Sequence, residues 1–193
     1  MMKTTLHITT LAAAMCLAST ARAEVMTFNN PGQIEIDNVT QIATYTEGAF
    51  KITGNAADFL TISDALLGFA SAPLHLKAAS GGAFSLLSLE RSFFDLGLGE
   101  TPGQLTLVGL LNGLQVASAV LPLGATLAAF NFGNPWANVS DVSFTSTSGF
   151  LLDNINVRLN ASVPEPGTWA LAMVALLGLS GSARRRLYFD RKR

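Results

Sequence analysis

Residue types that commonly carry enzymatic chemistry are scarce in this sequence. Its 193 residues include one Cys, Cys16, and two His, His7 and His75. A zinc site needs three or four ligands, usually His or Cys, so transition-metal catalysis is not expected. His75 alternates with leucines in Leu74-His75-Leu76-Lys77, which puts it on the wet side of a strand. Nothing in the sequence positions a serine beside it for a Ser-His-Asp triad. Between residues 24 and 162 there is no Gly-x-Ser-x-Gly elbow and no glycine loop of the kind that cradles phosphate.

Carboxylates are the remaining chemistry. Glu35 and Asp37 are two residues apart, so on a strand they share one face. A glycosidase needs two carboxylates roughly 5–10 Å apart in a cleft, and glycoside hydrolysis is the weakest of the readings considered. Calcium takes carboxylate and carbonyl oxygens. Asp153 and Asn154, late in the body, could share such an ion with Asn29 or Glu47 if the first and last strands are neighbours. The competing reading has Asp153 and Asn154 making hydrogen bonds at a strand edge. No cofactor other than calcium is suggested. Trp136, in Asn134-Pro135-Trp136, is a sugar platform if exposed and a plug over the core if buried.

The elements that would position these residues are short. Runs rich in Val, Ile, Leu, Phe and Thr recur between Gly, Pro and Asn breaks. They predict strands at Val25–Asn29, Gln41–Glu47, Ala49–Gly54, Leu74–Ala79, Phe84–Glu90, Gln104–Leu111, Gln115–Leu121, Thr126–Phe132, Val139–Thr145 and Phe150–Leu159. Alternation is clear in Phe50-Lys51-Ile52-Thr53 and Val142-Ser143-Phe144-Thr145, the pattern of antiparallel strands with one buried face. Asn112-Gly113 is the strongest hairpin signal and pairs the runs on either side of it. Asp64–Ser71 reads as a short helix or a loop. The fold class is all-β: an antiparallel, jelly-roll-like β-sandwich, flanked by an N-terminal signal helix and a C-terminal transmembrane helix.

The formal net charge of -1 conceals three segments. Residues 1–23 carry Lys3 and Arg22 and no acid. Residues 24–162 carry eleven acids against four bases, a net charge of -7. Residues 163–193 carry two acids against six bases, a net charge of +4. The acidic body disfavours nucleic acid as a partner, because it repels phosphates.

The basic head reads as a secretory signal peptide. Lys3 precedes the apolar run Leu11–Ala18, and Ala21 and Ala23 place small residues for cleavage by signal peptidase before Glu24. That cleavage removes the only Cys. At the other end, Val163-Pro164-Glu165-Pro166 precedes an uncharged stretch over 168–183 and then Arg184, Arg185 and Arg186. Sixteen uncharged residues span about 24 Å as a helix, and flanking residues extend that toward the bilayer core thickness. The arginines place the far end in the cytoplasm, so the stretch is expected to tether a secreted body to the membrane.

Residues 163–186, on a chain with a signal peptide, closely resemble the PEP-CTERM sorting signal found in Gram-negative bacteria that make exopolysaccharide. The resemblance implies recognition at Pro-Glu-Pro by exosortase, a membrane-embedded transpeptidase, followed by removal of the helix and release outward. The chain would be that enzyme's substrate. Prolines suit this role, since they keep the segment extended and without backbone donors. The body resembles β-sandwich domains common in such proteins, through Tyr45-Thr46-Glu47-Gly48-Ala49-Phe50, Leu110-Leu111-Asn112-Gly113 and Gly149-Phe150-Leu151-Leu152-Asp153-Asn154-Ile155-Asn156-Val157. The domains expected are therefore a signal peptide (1–23), a β-sandwich (24–162) and a sorting signal (163–193). The expected destination is the cell surface or extracellular matrix, with exopolysaccharide as a possible partner.

Overall fold

The computed structural model describes residues 23–29, 34–62, 64–69, 72–95, 97 and 99–160. Among them run thirteen strands: β1 (Ala23–Met26), β2 (Ile34–Asp37), β3 (Ile42–Glu47), β4 (Phe50–Asn55), β5 (Phe59–Ile62), β6 (Ala65–Gly68), β7 (Leu74–Ala78), β8 (Phe84–Phe93), β9 (Gln104–Leu111), β10 (Leu114–Pro122), β11 (Ala128–Asn131), β12 (Asp141–Ser146) and β13 (Phe150–Leu159). They form two antiparallel sheets. One has the order β11-β8-β13-β6-β5, with β1 also paired to β13; the other has the order β10-β9-β12-β7-β4-β3-β2. From β6 onward the chain changes sheet at each connection except the β9–β10 hairpin, which gives the alternation expected of a jelly-roll-like sandwich.

Period-2 patterning decides which side chains are inside. Phe50, Ile52 and Gly54 of β4 are buried while Lys51 and Thr53 face outward, and β7 buries Leu74, Leu76 and Ala78 around His75 and Lys77. The inner faces share one core, with Tyr45, Leu107 and Phe144 from one sheet and Leu86, Leu152 and Ile155 from the other. Each such side chain contributes roughly 1.5–3 kcal/mol by leaving water. The rings of Phe50 and Phe84 meet edge-on across the sheets at 5.4 Å. On the β8–β11 side, the buried Arg91 donates from Nη1 to the Ala128 carbonyl at 2.6 Å.

The Asn112-Gly113 hairpin forms as expected, with Leu111 paired to Leu114. Both turn residues have positive φ, 52° and 82°, as a primed turn requires. Three strands differ from expectation. Ala65–Gly68 is strand β6, where Asp64–Ser71 reads as helix or loop. All four of its residues are buried, and a short continuous apolar run has no period that separates strand from helix. Pairing to β5 on one side and β13 on the other decides the matter. Strands β2 and β5 were not anticipated. Both are four residues long and lie at sheet edges, where there is little pattern to read.

The two expected terminal helices, over 1–23 and 168–183, lie outside the described residues apart from Ala23. No described helix is long and apolar enough to cross a membrane.

Candidate functional site

The first and last strands are neighbours. Glu24 of β1 pairs with Val157 of β13, and Met26 pairs with Ile155. β13 is central to its sheet. Along one side it pairs with β8; along the other it pairs first with β6, over Phe150–Leu152, and then with β1, over Ile155–Arg158. Between those two partners the strand bulges at Asp153 and Asn154, and Asn154 takes φ +45°. A bulge re-aims its side chains, and Asn as the residue at positive φ is the usual choice after Gly.

Glu47, at the end of β3, fastens the chain just beyond β1. Its carboxylate accepts from the Thr27 backbone N–H and hydroxyl, the Phe28 N–H at 3.0 Å and the Tyr45 hydroxyl at 2.7 Å. Phe28 sits at φ +55°, a conformation costing about 1–2 kcal/mol for a residue with a Cβ. Those hydrogen bonds and the packing of its ring on Tyr45, at 5.1 Å, offset that cost. The Glu24 carboxylate reaches back to accept from the Ala49 N–H at 3.1 Å. It lies where a Cβ on Gly48 would stand, so glycine is required there for space as well as for its φ of +57°. Two acids thus clasp β1 to the β3–β4 turn of the opposite sheet.

Asp153 and Asn154 face the carboxylate of Glu90. The Asn154 amide donates to Glu90 at 2.9 Å and to Asp153 at 3.3 Å, and the Asn154 N–H donates to Asp153 at 2.7 Å. Burial pushes the Asp153 carboxyl above the usual aspartate range; the Asn154 N–H opposes this, and the negative charges of Glu90, Asp64 and Glu47 add to it. The structure therefore brings Asp153, Asn154 and Glu90 into contact and places Glu47 within the same field. It does not join Asn29 to them: Asn29 is exposed, and among the described residues no hydrogen bond links it to Asp153 or Asn154. Glu90 and Asp64 were missed from sequence. They lie on or beside strands whose pairing with β13 no local pattern reveals.

As a calcium shell this corner is incomplete. Among the described residues no group of three or more His, Cys, Asp or Glu is close enough to hold a metal ion. The Glu47 oxygens are already occupied by four donors.

Trp136 corrects the sugar-platform expectation. Its indole is only 5% exposed and packs on Phe132, with centroids 4.8 Å apart. It also lies against Gly109, where a Cβ would crowd the indole and Val139. It is a plug over the core, held in a short 3-10 turn that Pro135 helps to start.

His75 lies outward, as its alternation predicts. Its Nδ1 stands 3.1 Å from Asp141 Oδ1, and Lys77 Nζ stands 3.2 Å from Asp141 Oδ2. This partly exposed cluster lies mid-sheet, and Asp141 is its unforeseen member. Glu35 and Asp37 stand exposed on edge strand β2. Asp37 is committed to its turn, with its carboxyl held below the usual range by the Thr40 hydroxyl and the Val39 and Thr40 N–H groups.

Residues 162–186 match the PEP-CTERM protein-sorting motif. The chain carries a PEP-CTERM sorting signal. Val163, Pro164, Glu165, Pro166 and Arg184, Arg185 and Arg186 fall inside that match and outside the described residues; Ala21 also lies outside the described residues. Ala23 opens β1 and is exposed. No curated protein matches this chain in sequence. Its sandwich is similar to several solved structures. A family 29 carbohydrate-binding module from Piromyces equi is 10% identical, with a TM-score of 0.43, covering 76% of this chain and 96% of that one. The CBM22-1 xylan-binding domain of Paenibacillus barcinonensis Xyn10C is 15% identical, with a TM-score of 0.38, covering 74% and 96%. CBM32-1 from a family 31 glycoside hydrolase of Clostridium perfringens is 14% identical, with a TM-score of 0.32, covering 74% and 96%.

Proposed function

We propose that this is a non-catalytic surface or extracellular-matrix protein, exported through a signal peptide and sorted by an exosortase. Its β-sandwich serves as a structural or adhesive module associated with exopolysaccharide. The PEP-CTERM motif over 162–186 carries the reading. Signal peptidase removes residues 1–23, the segment 168–183 holds the precursor in the inner membrane, and exosortase acts at Val163-Pro164-Glu165-Pro166. The exported body keeps a net charge of -7, which favours solubility and attracts cations. Deleting the exosortase should leave a full-length, membrane-bound form; unchanged processing and location would overturn the sorting assignment.

A second reading, a calcium-assisted carbohydrate-binding module, is favoured by one observation: Asn154 holds the carboxylates of Asp153 and Glu90 together through its side-chain amide. A cation there would relieve the mutual repulsion, with carbonyl oxygens completing the shell. Thermal melting measures this. A rise in Tm at millimolar calcium, absent in Asp153→Asn, supports calcium at this corner, and no shift removes it.

A further inference from the structure

We propose that β10 is a self-association edge, pairing antiparallel with β10 of a second copy about a two-fold axis through Ser118. From Thr101 to Ser140 the sequence contains no Asp, Glu, Lys, Arg or His. This stretch forms β9, β10 and β11, so one lateral side of the sandwich is built almost wholly from uncharged chain. An edge strand presents a row of unpaired N–H and C=O groups, and proteins usually blunt it with charge, proline, a bulge or short length; in β10 the bulge at Val116 and Pro122 lie toward the two ends and leave Ala117–Leu121 unblunted. The other edges follow that rule. β2 is four residues long and carries Glu35 and Asp37, and β1, β5 and β11 are each four residues long. β10 has nine residues, terminates the seven-stranded sheet and leaves Leu114, Val116 and Val120 exposed at 73%, 43% and 57%.

The occupant is identified by symmetry and charge. Val116-Ala117-Ser118-Ala119-Val120 reads the same in both directions. In an antiparallel pair with a two-fold axis through residue 118, Ser118 faces itself. Ala117 meets Ala119 of the other copy, and Val116, the residue in the bulge between Gln115 and Ala117, lies beside Val120 at the end of the ladder. A self-complementary patch of this kind is what an isologous dimer requires, and adjacent valines are favourable cross-strand neighbours. The bulge between Gln115 and Ala117 limits the ladder at one end. Pro122, which lacks an N–H, limits it at the other. Two bodies of net charge -7 repel each other over most of their surfaces, so the charge-free side is where they meet at least cost.

The inference deepens the surface-protein reading, but its test is separate from the exosortase experiment: a dimer can form whether or not sorting follows the proposed route. The exported protein, recovered from cells, is measured by size-exclusion chromatography with light scattering. The expected result is a concentration-dependent dimer, lost at the same concentration in Ser118→Lys while the melting temperature is kept. In Ser118→Cys, diamide should give a disulfide-linked dimer reversed by dithiothreitol. Thr145→Cys, exposed on β12 in mid-sheet, should give none. Because the sole native thiol, Cys16, leaves with residues 1–23 on export, the unsubstituted exported protein has no thiol and is the control. A monomer at all concentrations, equal cross-linking at both positions, or a dimer indifferent to Ser118→Lys overturns the proposal. So does a dimer found in the unprocessed chain and not in the exported protein that lacks residues 168–183.

Discussion

Asp153 shows how one side chain reports its surroundings. Burial and the carboxylates of Glu90, Asp64 and Glu47 raise its pKa above the ordinary aspartate value. The folded state therefore holds the proton more tightly than the unfolded chain does. Between the unfolded and folded values the native state binds more protons, so this group's contribution to stability falls as pH rises. Asp153→Asn should accordingly stabilise the calcium-free protein at neutral pH, by about 1 kcal/mol or less because water reaches the group. The gain should shrink as pH is lowered toward the ordinary aspartate range. Urea denaturation at several pH values in the presence of a chelator measures it. A loss of stability at neutral pH would show that the hydrogen bonds to Asn154 outweigh the repulsion. Trp136 illustrates the limit of reading at this level. Asn134-Pro135-Trp136 is compatible with an exposed platform or a buried plug, and only Phe132 and Gly109, brought together from other elements, select the plug.

Elements were the most legible part of this chain. The alternating strands and the Asn112-Gly113 hairpin follow from local chemistry: side-chain period 2, and turn residues that tolerate positive φ. β1 is different, because four residues paired on one side only make a weak strand by themselves. The clasp formed by Glu24 and Glu47 across the two sheets compensates for this. Glu47→Ala leaves the Thr27 and Phe28 N–H groups and the Tyr45 hydroxyl without their shared acceptor. Hydrogen bonds to a charged group contribute about 1.5–3 kcal/mol, so a loss of about 2–3 kcal/mol is expected in urea denaturation. Faster hydrogen exchange should be confined to β1 and its neighbours. Uniform destabilisation with no local increase in exchange would show that β1 is held by its ladder to β13 instead.

For the whole molecule, the distribution of charge matters more than its sum. A basic head, an acidic body and a basic tail were evident from sequence because each is a contiguous run. A sorting motif is equally linear, being a fixed order of residues along the chain, and residues 162–186 match it as expected. The strands and the one strong hairpin were also determined locally, by interactions between residues close in sequence. Tertiary structure decided the rest: β6 as a strand, Trp136 as core, His75 paired with Asp141, and Asp153 set among acids from other strands. It also decided which uncharged strand was left at an edge. Each of these depends on pairings between distant segments, and such pairings are set by the competition of all strands for partners and for a shared core.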